Sequence, residues 1–191
     1  MAEIKSTMEM VLERAARMAE AAPDVSDNDD LLKEGMKLAA EYLKDKETDL
    51  QASLGAYGAK DQIDVKKGMA KTLLRNIVLP RDEELQLSGQ NALQGILTLS
   101  QNNHEIQTIC QELGQILNQY GQHKEQSTQQ LQEAIKAQLQ QQQMARGMEA
   151  DDVNPAMHPK YNEELTRMLM NLNNQYNDAM NQRKEMILQL F

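Results

Sequence analysis

The sequence contains no tryptophan, a single phenylalanine and a single cysteine, and aromatic residues make up only 3 % of it. One cysteine cannot form an internal disulfide. β-Branched and aromatic residues, which strands favour, are scarce. No apolar run of 18 residues or more exists, so no segment is expected to span a bilayer. The opening MAEIKSTMEM has no apolar core of signal-peptide type, which fits a cytoplasmic protein. No sustained Lys/Arg run interrupts the formal net charge of −9. That balance repels phosphate backbones and anionic membranes, so neither nucleic acid nor a membrane is an expected partner.

Catalytic and metal signatures are missing too. There is no Walker loop, no Gly-x-Ser-x-Gly elbow, no dinucleotide fingerprint, no Cys-x-x-Cys and no His-Glu-x-x-His. Gly55 and Gly58 in LGAYGAKD are wrongly spaced for a nucleotide loop and mark a turn. PDVSDNDD suggests a calcium loop, but its sixth position is Asp29 where Gly is needed and its twelfth is Gly35 where Glu is needed. A Glu-x-x-His step of the di-iron kind fails at every histidine, because Gln101, Tyr120 and Pro155 stand three residues before His104, His123 and His158. No catalytic, cofactor-binding or metal-ligating residue is nominated, no cofactor is implied, and the protein is not expected to be an enzyme.

What the sequence does hold is helix. Ala, Leu, Met, Gln, Glu and Lys are all plentiful and all good helix formers, so the class is all-α. Residues 1–79 predict three helices: 4–21, ended by Pro23; 28–54, with Leu32, Met36, Ala39, Leu43, Leu50 and Leu54 on its apolar face; and 62–79, capped by Asp61. Pro80 is placed at the start of the next helix, with Asp82, Glu83 and Glu84 in its first turn.

Residues 80–146 carry a long Gln-rich heptad pattern. Leu85, Ala92, Leu99, Ile106, Leu113 and Tyr120 are seven apart, with Gly89, Ile96, Asn103, Cys110 and Leu117 interleaved. The register extends through Lys124, Ser127, Leu131 and Ala134, and is weak near Gly121. As one helix over 81–143 it would be roughly 95 Å long; a break near 100–103 gives two helices instead. Glutamine fills the outer face and ends in LQQQQM. Residues 147–159, rich in breakers, form a linker. A second seam follows in 160–191, where Leu165, Leu172, Ala179 and Met186 alternate with Leu169, Tyr176, Arg183 and Leu190.

The stretch from Asn102 to His123 holds the cysteine and two of the three histidines. The heptad places Cys110 on the seam as a small inert hydrophobe. His104 lies six residues away, some 120° round the helix, so it does not pair with that thiol. Asn103 has two readings: a polar seam residue that fixes register or oligomeric state, or a local helix break at QNN. Arg183, also on a seam, either meets a carboxylate or reaches outward. Asn103, Cys110 and Arg183 are thus the candidate seam or oligomer-specifying residues.

The opening MAEIKSTMEMVLER resembles the start of an uncharacterised bacterial protein family, a domain of unknown function. The resemblance covers Met1 to Arg14. It implies a helical bacterial protein and carries over no site residue.

The expected architecture is an elongated helical bundle in a single domain. A long coiled-coil-like spine has the C-terminal helix antiparallel to it. Because about 31 residues cannot cover about 63, the uncovered seam predicts self-association as a dimer. The expected function is a non-catalytic coiled-coil scaffold or adaptor working through protein–protein contacts with unidentified protein partners. A small acidic helical chaperone for an export or assembly client is the alternative.

Overall fold

Short polar side chains decide where these helices begin. In the computed structural model, which describes residues 25–45, 48–101, 103–146 and 154–191, Asp49 accepts from the amides of Gln51 and Ala52 at 2.8 and 3.2 Å. Asp82 accepts from Leu85 N, Asn103 from Glu105 N, and His158 Nδ1 from Lys160 N. Each occupies orphan donors of a first turn. The resulting elements are α1 (Val25–Lys44), α2 (Leu50–Gly55), α3 (Gln62–Asn76), α4 (Glu83–Leu99), α5 (His104–Ala145) and α6 (Pro159–Gln189), with a 3₁₀ turn at Pro155–Met157. Among the described residues there is no strand. The molecule is an all-α, elongated helical bundle. The helix expected over 4–21 lies outside the described residues, as do 147–153 of the linker.

Three boundaries differ from the sequence expectation. The helix expected over 28–54 is two, because Asp49 starts a new one. The third helix ends at Asn76 rather than 79. Ile77 is already extended at φ −81°, ψ 99°, and Pro80 disfavours helical geometry in the residue before it. Pro80 does not open the next helix; Asp82 caps it and Glu83 is its first residue, which leaves Glu83 and Glu84 at the positive end of the dipole. Asp61 occupies the expected cap position but makes no capping bond.

Of the two forms the sequence allows the spine, the structure takes the one with a break. The break falls at Ser100–Asn103, where Gln101 takes a left-handed φ of 49° and the Ser100 hydroxyl donates to Leu97 O at 2.7 Å. α4 then folds back antiparallel on α5: Gly89 faces Leu117, and Leu93, four residues further along α4, faces Gly114. The single 63-residue rod does not form. α5 alone, 42 residues, is roughly 63 Å long. The length mismatch that predicted a dimer therefore loses its premise, because α4 covers the first half of α5.

α1 and α3 approach backbone to backbone. A Cβ on Gly35 would lie 2.0 Å from Val65 O, and one on Gly68 would lie 2.1 Å from Leu32 O, so only glycine permits this antiparallel crossing. α2 is clipped on by Gln51 Nε2, which donates to Thr98 O at 2.6 Å. Val65, Met69, Leu73, Ile77, Ile96, Leu99, Ile106 and Leu113 form the buried core of this base.

α6 runs antiparallel to α5 along its length. Arg183 meets Glu112, Tyr176 meets His123, and Lys160 meets Gln138. Beyond His123 the start of α4 has been passed, and among the described elements α5 is covered only by α6 and the 3₁₀ turn. This two-helix stalk continues to Ala145, roughly 33 Å from the base. Its seam departs from the strict sevenfold pattern. Ile135 is buried where Ala134 is exposed, and Met180 and Ile187 are buried where Ala179 is half-exposed and Met186 is 46 % exposed. On α5 a straight helix of 3.6 residues per turn drifts about 20° per heptad, which over about four heptads approaches the 100° step to the next residue; on α6 Met180 and Ile187 keep the sevenfold step, one residue out of phase with the expected seam.

Candidate functional site

Cys110 lies on the face of α5 turned into the core, 4 % exposed, with Ile106, Ile109 and Leu113 buried around it. Burial pushes its thiol up to about 11. A thiol held protonated in this way is a poor nucleophile and a poor metal ligand. His104, the first residue of α5, is exposed.

Asn103 is exposed and caps α5, its side chain accepting from Glu105 N at 3.0 Å and Ile106 N at 3.4 Å. Its reading as a seam residue is corrected: the helix break puts it outside both helices, where it satisfies amides instead of facing a partner. Arg183 Nε meets Glu112 Oε2 at 3.1 Å across the α5–α6 interface. The three sequence candidates do not converge on one site. One closes a turn, one fills the core, and one ties two helices.

Sequence reasoning missed the polar cluster at the junction of base and stalk. Tyr120 donates its hydroxyl to Asn173 Oδ1 at 2.8 Å. The Tyr176 hydroxyl and His123 Nδ1 are 2.7 Å apart. The Tyr120 and Tyr176 rings meet edge to face at 5.4 Å. Both tyrosines stood on the predicted seams, but their pairing depends on the register between α5 and α6, which heptad spacing leaves open. Also missed was Lys184, whose ammonium donates to the carbonyl of Ile77 and so satisfies the end of α3. Burial lowers the pKa of that lysine. Lys66, likewise lowered by burial, sits 5.0 Å from the Phe191 ring centroid.

The surface also carries depressions, one of them between α4 and α5, lined by Gln94, Leu97, Thr98, Gln107 and Gln111. Asp30, Leu31, Glu34 and Asp61 line an open cleft of about 340 Å³. Two of its three acids are engaged locally, Asp30 by Lys33 at 2.9 Å and Glu34 by the Tyr57 hydroxyl at 2.7 Å. Among the described residues no group of three or more His, Cys, Asp or Glu is placed to hold a metal. Another is a groove of about 370 Å³ on α6, lined by Glu164, Arg167, Met168, Asn171, Leu172 and Gln175. Among the described residues no helix is long and apolar enough to cross a membrane.

Together these features define an all-α protein whose polar side chains cap helices and tie them to each other. The chain belongs to a family of unknown function (DUF6657), whose model matches residues 51–189. That match spans most of the base and the whole stalk, and lies apart from the MAEIKST segment. No curated protein and no solved structure matches the chain.

Proposed function

We propose that this protein is a non-catalytic coiled-coil scaffold or adaptor of the bacterial cytoplasm, acting through protein–protein contacts made by its stalk. The observation that carries this reading is the projection of α5 and α6 beyond the base: among the described elements, only these two helices and the 3₁₀ turn cover one another there. A base supplies the stability, and a two-helix arm presents amide-rich surface away from it. Gln129, Gln130, Gln132, Gln138, Gln141 and Gln142 are exposed along that arm. Cys110, buried in the base and held protonated, offers no reactive group on that surface.

The chaperone alternative draws on the exposed Met144, Met170 and Met186. Those on α6 do not make one groove, because Met170 and Met186 are sixteen residues apart and so roughly 160° round the helix from each other. A scattered set of this kind favours the adaptor. The test is a photo-crosslinking residue placed in the full chain at Met170 on the stalk and, separately, at Lys71 on the base, in the native cell. The adaptor predicts discrete protein adducts from Met170 and few from Lys71. A broad smear of adducts, with suppression of aggregation of a model client, would support the chaperone, and equal labelling from both positions would remove the stalk from the account.

A further inference from the structure

α6 carries more apolar surface than α5 covers. Met180 and Ile187 mark the line buried against α5 and the base. Met168, Leu172, Ala179 and Met186 lie roughly 70–110° to one side of that line, at 100° per residue. Their steps of four and seven keep them in one stripe. Met168, Leu172 and Ala179 are half-buried and Met186 is exposed. Met168 and Leu172, the distal part of the stripe, line the groove together with Glu164 and Arg167, which lie to the side away from the α5 contact line.

Charge selects what fits there. Residues 25–123 hold 15 acids and 10 bases, a net −5, so the base carries an excess of one sign and as a whole repels a second copy. The described stalk, 124–146 and 154–176, holds five bases (Lys124, Lys136, Arg146, Lys160, Arg167) and four acids (Glu125, Glu133, Glu163, Glu164), a net +1. A two-fold interface lays the same patch against itself, so a patch of one sign is self-repelling. This groove has one acid and one base on its rim. A two-fold axis between them sets Glu164 of one copy opposite Arg167 of the other. Among the described residues Arg167 makes an exposed intrahelical contact to Glu163 at 3.6 Å, worth little and easily exchanged.

Resting on the adaptor reading, we infer that a second copy of this chain docks in the Met168–Leu172 groove, α6 against α6, so that two stalks become a four-helix bundle. Such a bundle supplies the neighbours that a lone pair of helices lacks. The geometry is set by the stalk surface and owes nothing to the length argument that the α4–α5 turn removed.

Light scattering on the full chain over a concentration series tests this, since it reads mass independently of shape. The wild type gives twice 21.7 kDa. Leu172→Glu and Met168→Glu each weaken the dimer at least about tenfold, a change of about 1.4 kcal/mol, with helicity by circular dichroism unchanged. Met170→Glu, 62 % exposed on another face, leaves the mass as it was. Glu164→Arg or Arg167→Glu alone weakens the dimer, and the two together restore it. A monomer mass at every concentration overturns the inference, whether residues 1–24 or a different protein then occupies the groove. So does a dimer indifferent to Leu172→Glu and to the charge swap. A monomer that still gives discrete adducts from Met170 leaves the adaptor reading intact, whereas loss of both removes that reading as well.

Discussion

Base and stalk share the helix α5, yet they hold it in different ways. In its first half Ile106, Cys110 and Leu113 are buried, because α4 packs on one side and α6 on another. In its second half Ile135 is buried while Leu131 and Leu139 stay half-exposed, because α6 is the one long neighbour among the described elements. The sequence pattern is similar in the two halves; the number of helices around it is not. Burial, and with it most of the hydrophobic stabilisation, follows the neighbours.

The largest expected effect sets these halves against each other. Leu73→Ala, at a fully buried site of the base, should cost about 2–5 kcal/mol in chemical denaturation. Leu131→Ala, on the half-exposed stalk seam, should cost about 1 kcal/mol, since much of its surface already meets water. Equal losses would show that the stalk is covered as fully as the base, and the distinction would fall.

Glycine sharpens the same contrast by reversing sign. Gly68→Ala forces α3 from α1, because its Cβ would meet Leu32 O at 2.1 Å, and should cost about 1–3 kcal/mol or more. Gly121→Ala, where the stalk leaves the base and nothing lies within 4 Å of the new Cβ, should stabilise by about 0.5–1 kcal/mol through helix propensity. Thermal melts of the two variants read both signs.

Helix class, the antiparallel C-terminal helix and the inward face of Cys110 follow from composition and a period near 3.5, which act locally. The α4–α5 turn was visible as QNN but undecided, because the heptad runs across it without a gap: Leu99 and Ile106 keep the sevenfold step although the chain reverses between them. Asn103 is a good cap and a tolerable seam residue, and only the tertiary fold chooses. The Tyr120–Asn173 and Tyr176–His123 pairs were not legible at all, since they need the register of two helices 53 residues apart in sequence.

Alkaline pH should weaken the base through Cys110. Its pKa stands at about 11 in the fold against about 9 outside it. Below pH 9 both states hold the proton and nothing changes. Between pH 9 and 11 the unfolded chain releases a proton that the native chain keeps, so stability falls as pH rises, by about 1.4 kcal/mol at pH 10. Tyr42 and Tyr120, also raised by burial, extend the fall upward in the same direction. Denaturation of wild type and Cys110→Ala at pH 8 and pH 10 isolates the thiol: the variant is less stable at pH 8 but loses less on going to pH 10. Equal losses in the two proteins would mean that the thiol reaches water.

The smallest effect lies within the base, at an exposed edge of the α5–α6 interface. Arg183 and Glu112 are 3.1 Å apart, with their side chains 34 % and 46 % exposed. Solvent screens a pair of that kind, so a double-mutant cycle with Arg183→Met and Glu112→Gln should return a coupling below about 1 kcal/mol, shrinking further in high salt. Arg183→Met alone should cost little, because methionine keeps the apolar stem packed while giving up the charge. A coupling of several kcal/mol that survives salt would mark the pair as desolvated. A further layer would then cover this edge of the base, and the α5–α6 interface would be closed to water where the side chains are now 34 % and 46 % exposed.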